Sequence, residues 1–240
     1  MKKTILSLCV FGVLAACGGG EEIVPERPLE DIYQEAYKEF NNENYEEAAD
    51  LFQTAESQYP SNPWAADALV MMAYSRYMDN DFAGSILAID RYMRFHPGHK
   101  DVPYMMYLRG INYYRQVSDV RRDPGMSAYA LQQFQQLVER FPNSEYAKNA
   151  ENKILILKNY IAGKVMYAAR EDMQKQNWTS AISRLQSVVE TAQETVMTPE
   201  AMFRLTECYT AVGLPEQADG YAKMLQTNFP DNEWTKKLDK

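Results

Sequence analysis

Histidine and cysteine are scarce in this chain of 240 residues, with two of the former and three of the latter. Cys9 lies inside an apolar leader and Cys17 closes it, which leaves Cys208 as the sole thiol of the remaining body. No disulfide can form within one such chain, so a disulfide framework is excluded. Cys208 sits between Leu205 and Tyr209 in helical register and reads as a small core residue. Both histidines fall in His96-Pro97-Gly98-His99. A metal site there would need further ligands, so neither metal nor cofactor is expected. Glycine-rich phosphate loops, nucleophile elbows and zinc-type helical histidine pairs are also missing, which argues against an enzyme. No apolar run approaches the roughly 20 residues of a spanning helix. Nor is there a basic excess, since 25 Lys and Arg face 33 Asp and Glu.

What is present begins at Lys2 and Lys3, followed by the apolar run Ile5 to Ala16 and Leu14-Ala15-Ala16-Cys17. This is a secretory leader of residues 1–16. Its ending resembles the bacterial lipobox, which implies acylation of Cys17 and, with Gly18 following, transfer to the outer membrane. Once the leader is gone, 23 basic and 33 acidic residues leave a net charge of −10. Such a chain is a poor nucleic-acid binder. Residues 17–28 are Gly-rich and twice interrupted by Pro, a tether between lipid and first helix.

The body repeats itself. Counting back from Pro60, Pro97, Pro142 and Pro230, the position twelve before is Ala48, Ser85, Ala130 and Ala218, always small. Eight before lie Phe52, Ile89, Phe134 and Ala222, and one before lie Tyr59, His96, Phe141 and Phe229. Trp178, Ala181, Leu185 and Val188 form a copy without its proline. Upstream small positions fall at Ala36, Ala73, Gly110, Ala169 and Thr206. Paired helices with small residues at their crossing describe tetratricopeptide-type units of about 34 residues. The expected fold is all-α, a right-handed superhelix of five helix pairs, about ten helices, around one continuous core.

Three stretches depart from the period. Gln116 to Gly125 carries Arg121-Arg122-Asp123-Pro124 and reads as a charged loop insertion, a candidate partner contact at Arg121, Arg122 and Asp123. Tyr146 to Gln176 contains no proline and keeps apolar periodicity, so one long helix is expected to join residues 29–145, repeats one to three, to 146–240, repeats four and five. Gly163 in its middle is expected where another helix comes close. The tail from Trp234 is expected to fray.

Tyrosine is the unusual enrichment. First-helix positions flanking the small residue give Tyr33, Tyr37 and Phe40, then Val70, Tyr74 and Tyr77, then Tyr107, Ile111 and Tyr114, with Tyr104 one turn earlier. Tyrosine combines apolar area with a hydroxyl at low entropic cost, which suits an extended peptide. The candidate groove is therefore Tyr33, Tyr37, Phe40, Tyr74, Tyr77, Tyr104, Tyr107 and Tyr114.

Tyr59-Pro60-Ser61, Ala88-Ile89-Asp90-Arg91-Tyr92 with His96-Pro97-Gly98-His99, Tyr107-Leu108-Arg109-Gly110 and Phe141-Pro142-Asn143-Ser144 together resemble the BamD family of outer-membrane β-barrel assembly lipoproteins. The likeness runs from about Tyr33 to Pro230. It implies a non-enzymatic scaffold, lipid-anchored at the periplasmic face of the outer membrane. It further implies a C-terminal half that docks on a periplasmic domain of a BamA-like barrel protein, possible contacts with other assembly lipoproteins, and an N-terminal half that receives C-terminal segments of unfolded outer-membrane proteins. A cell-division coordinator or pilus-assembly adaptor with the same repeats is the competing reading; a lipid-anchored enzyme would need a further domain.

Overall fold

The computed structural model describes residues 27–117 and 125–238. Cys17, most of the tether, and Arg121, Arg122 and Asp123 lie outside the described residues. Within them the chain forms ten α-helices and no strand. They are α1 Leu29–Asn41, α2 Tyr45–Gln58, α3 Trp64–Met78, α4 Phe82–Phe95, α5 Val102–Arg115, α6 Gly125–Arg140, α7 Glu145–Gln174, α8 Trp178–Thr191, α9 Thr198–Ala211 and α10 Pro215–Asn228. Each helix packs on the next, giving five antiparallel-type hairpins stacked in chain order.

The small residues sit at the crossings. Ala36, Ala48, Ala73, Ala130, Ala169, Ala181 and the polar Ser85 are all fully buried, and Phe52, Ile89, Phe134 and Leu185 fill the space beside them. Gly110 shows the constraint most sharply: a Cβ added there would lie 2.5 Å from Cε1 of Phe134 across the α5–α6 contact. Ser85 is more than small. Its hydroxyl donates to the Ala73 carbonyl at 2.8 Å and accepts from Asn112 Nδ2 at 2.9 Å, which links α3, α4 and α5 through a buried polar bridge.

A second repeated device turns the first helix of a unit into the second. Glu43, Asn80, Gln176 and Gly213 all adopt positive φ, between 57° and 78°, and each lies seven residues after the small position of its unit. Only Gly213 and Asn80 are residue types that favour the left-handed region. The backbone closes three of these turns in the same way, with Asn44 N to Glu39 O, Asn177 N to Asp172 O and Leu214 N to Tyr209 O, whereas the turn at Asn80 closes with Phe82 N to Asn80 O. The third unit instead ends α5 at Arg115 and starts α6 at Gly125.

Helix α7 runs 30 residues without a break, about 45 Å at 1.5 Å per residue, and Ser144 Oγ caps its start by accepting from Ala147 N at 3.1 Å. The buried residues along the chain fall in two clusters, not the single core expected of stacked repeats. The first ends at Leu157 and the second begins at Ala162, both on α7. The helix is about twice the length of its neighbours and packs against α5, α6 and α8, giving residues up to Leu157 to the first cluster and residues from Ala162 on to the second. Gly163 lies just past the changeover, and the expectation of a close helix there does not hold. An added Cβ would meet only Met197 Cε, at 3.7 Å.

The tail does not fray within the described residues. Thr235–Lys237 makes a 3-10 turn, and the Thr235 hydroxyl donates to Phe229 O at 2.6 Å. The Trp234 ring packs on Phe203 at 5.4 Å with the Arg204 guanidinium 5.1 Å from its centroid. Helix α10 buries only Ala218 and Leu225. The tryptophan thus covers apolar surface of α9.

Ion pairs tie successive units together. The buried Glu56 of α2 accepts from Arg91 of α4 through Nε at 3.1 Å and Nη2 at 3.0 Å. Glu200 of α9 accepts from Arg170 Nε of α7 at 2.9 Å. Burial alone would push the Glu200 carboxyl up. The hydrogen bond and charge of Arg170, with Arg204 beside it, outweigh burial and hold it below the usual carboxylate range.

Two predictions arise. Gly110→Ala should destabilise the protein by about 1–3 kcal/mol through the clash with Phe134, whereas Gly163→Ala should stabilise it by about 1 kcal/mol through helix propensity; urea unfolding of the two variants decides, and a stabilised Gly110→Ala would refute the close crossing. Because the folded Glu200 value lies below the unfolded one, its contribution is present above about pH 4.3 and lost as pH falls through the depressed value. The stability gap between wild type and Arg170→Gln should therefore shrink on acidification below that point, and a gap constant from pH 7 to pH 3 would contradict the assignment.

Candidate peptide-binding face

The first helices of the first three units, α1, α3 and α5, bring their aromatic residues together along one face. Tyr33 lies deepest, with 8% exposure, and its hydroxyl donates to the Trp64 carbonyl. Tyr37, one turn on, is 41% exposed and packs edge-on against Phe52 at 5.2 Å. Phe40 meets Tyr74 at 5.7 Å, and Tyr74 stacks on Tyr77 at 6.2 Å. Tyr104 and Tyr107 both pack on Tyr146 of α7, at 5.4 and 5.7 Å. Tyr114 stands apart from these rings and receives the Lys153 ammonium 5.0 Å from its centroid.

The eight sequence-selected residues sit at unequal depths. Tyr33 is a core residue that supports the face, Tyr37 is its exposed member, and the other six are half-buried. The spacing of the small residues could not distinguish these roles, because depth depends on what the second helix of each unit puts underneath.

A cleft of about 840 Å³ opens between α1 and α3, within the usual size range of ligand sites. Tyr33, Tyr37, Trp64, Val70 and Met71 supply its apolar wall. Gln34, Asn41 and Asn42 add side-chain amides, and Lys38, Glu30 and Asp67 add charge of both signs. Trp64 and Met71 lay outside the offsets used to select the row. Trp64 is the first residue of α3 and 44% exposed, and an exposed tryptophan at a helix start is the signal that could have found it.

The hydroxyls of Tyr33, Tyr37 and Tyr104 are held in their protonated form. Burial, and then the nearby Asp67 carboxylate, pushes Tyr33 and Tyr37 up, and burial followed by the neighbouring Tyr74 and Tyr146 does the same for Tyr104. Each hydroxyl can therefore both donate and accept. The Cys208 thiol, buried in the second cluster, is pushed up to about 11 chiefly by burial, which is the environment of an inert thiol rather than a nucleophile. His96 does pack where the other units carry an aromatic, 5.6 Å from the Tyr92 ring.

Comparison with known proteins adds the lineage. The profile of the family described as YfiO, outer membrane lipoprotein, matches residues 25–237. The chain is 35% identical over 235 residues to the outer membrane protein assembly factor BamD of Caulobacter vibrioides, covering 96% of this chain and 77% of that one. It is 30% identical over 238 residues to BamD of Rickettsia prowazekii, covering 98% and 94%. Among solved structures, the TPR domain of P58(IPK) has a TM-score of 0.46 at 15% identity, over 86% of this chain and 53% of that one. PilW, a type IV pilus biogenesis factor, has a TM-score of 0.38 at 14% identity, over 88% and 98%. At these scores neither likeness separates one helical-repeat protein from another. The family profile and the sequence relatives, which span almost the whole chain, do separate them: the chain belongs to the BamD family of outer-membrane lipoproteins.

Proposed function

We propose that the protein is a non-enzymatic scaffold for assembling β-barrel proteins in the outer membrane, held at the periplasmic face by a lipid on Cys17. Relatives matched over 77% and 94% of their own length are named outer membrane protein assembly factors. Residues 17–28 serve as the tether. Residues 29–145 form the half that receives extended segments of unfolded outer-membrane proteins. Residues 146–240 form the half that docks on the periplasmic part of a BamA-like central barrel protein. Arg121, Arg122 and Asp123 offer charged contacts to a partner, such as another lipoprotein of the machinery.

The observation that carries the substrate half is the cleft between α1 and α3 with the aromatic face beside it. Tyr37 and Trp64 present exposed ring area to an aromatic or aliphatic side chain. The amides of Gln34, Asn41 and Asn42 can donate to and accept from a peptide backbone that has no partner of its own in an unfolded chain. Lys38 at the rim suits a terminal carboxylate. Nothing in such a face needs to perform chemistry. Its task is to hold an aggregation-prone strand in extended form until the strand is transferred.

Binding of a fluorescent peptide ending in an aromatic residue tests this. Tyr37→Ala alone, and Tyr74→Ala with Tyr77→Ala, should each weaken binding by about tenfold, as expected when an aromatic contact worth 1–2 kcal/mol is removed. Helix content measured by circular dichroism should stay the same. Affinity unchanged in both variants would remove the groove assignment while leaving the family membership in place.

A further inference from the structure

Most carboxylates that bridge helices in this protein face an arginine: Glu56 faces Arg91, Asp81 faces Arg76, Asp90 faces Arg109, Asp172 faces Arg184 and Glu200 faces Arg170. One pair does not. Asp67 on α3 and Asp101 at the start of α5 converge with His99, and one donor atom from each of the three lies within 4.8 Å of the others. Among the described residues neither carboxylate pairs with a lysine or arginine; Asp101 meets only His99, with Oδ2 3.5 Å from Nδ1. Two like charges brought this close without a cation repel each other.

The histidine is also held in place. Tyr92, a fully buried residue of α4, sets its hydroxyl 2.7 Å from His99 Nδ1, and its ring lies edge-on to the imidazole at 6.0 Å. With Nδ1 engaged by the tyrosine hydroxyl, Nε2 is the nitrogen left to a cation, the division of roles that metal-binding histidines use. The turn that presents His99 and Asp101 is short and closed by its own backbone bonds, His99 N to His96 O and Val102 N to His99 O. The third member arrives from a different repeat. That is why the His-Pro-Gly-His stretch alone offers too few ligands, and folding supplies the missing one.

We propose that Asp67, His99 and Asp101 form a divalent-cation site that joins the second repeat to the start of the third. Two carboxylate oxygens and one imidazole nitrogen suit a borderline transition cation such as Zn²⁺, with water completing the shell. Mg²⁺ and Ca²⁺ prefer all-oxygen sites and fit less well. Bonds of about 2 Å require the donors to draw inward, and Asp67, the exposed member, can do so by side-chain rotation. Asp67 also lines the cleft between α1 and α3. A bound cation would therefore neutralise part of the acidic rim of that cleft and fix α3 against the α4–α5 turn.

Calorimetric titration of the lipidated full chain in detergent with ZnCl₂, and separately with MgCl₂, tests the site. Expected is saturable binding of one Zn²⁺ per chain with no comparable Mg²⁺ heat. Asp67→Asn and His99→Ala should each weaken Zn²⁺ binding by at least about tenfold, and His96→Ala should not. Asp67→Asn alters an exposed side chain, so it keeps the test valid if His99→Ala disturbs packing around Tyr92, which circular dichroism would report. Absence of Zn²⁺ binding overturns the proposal, as does binding that survives Asp67→Asn or is lost in His96→Ala instead.

Discussion

Close approach of two helices at a residue with almost no side chain is the contact on which this structure depends. Gly110 against the Phe134 ring is the extreme case, and Ala36, Ala73 and Ala169 occupy the same place in their units, each with no exposed surface. A larger side chain there would hold the helices apart and leave a void around Phe52, Ile89, Phe134 or Leu185, and interiors do not accommodate such voids cheaply. The crossing sets where the second helix lies. The left-handed residue seven positions later sets where the first helix must turn. Together they repeat one hairpin geometry without requiring the same surface residues in each copy.

That freedom at the surface makes a binding face possible. With the crossings carried by small residues and the second helices, the outward positions of α1, α3 and α5 can carry tyrosines in series. Phe40 supports Tyr74, and Tyr146 supports Tyr104 and Tyr107, at 5.4–5.7 Å, at the edge of the first core cluster. The lower half of the molecule is organised differently. Its first helix, α7, is long enough to belong to both core clusters, so the two halves are joined by a continuous helix rather than by a loop.

The repeat period, the ten helices, the long α7 and the aromatic row were legible in the sequence because each follows from spacing along one or two helices. Other features depend on residues that meet only after folding. Trp64 lines the cleft from the start of α3, outside the period that selected the row. Asp67 reaches His99 across 32 positions, and no local pattern reports such a meeting. Trp234 docks on Phe203 and Arg204 of α9, a meeting that no spacing within the tail reports, so a tail that looked frayed is held in place. Gly163 resembled a crossing glycine by position, yet the changeover between two clusters leaves open space beside it.

Recovery of the tagged, lipidated protein from gently solubilised membranes, with bound proteins identified by mass spectrometry, tests the central claim most directly. The account predicts a large outer-membrane barrel protein with repeated periplasmic domains, retained when residues 146–240 are intact and Tyr37, Tyr74 and Tyr77 are replaced by Ala. Recovery of division or pilus-assembly components in its place would leave the helical repeats standing and contradict the assigned role.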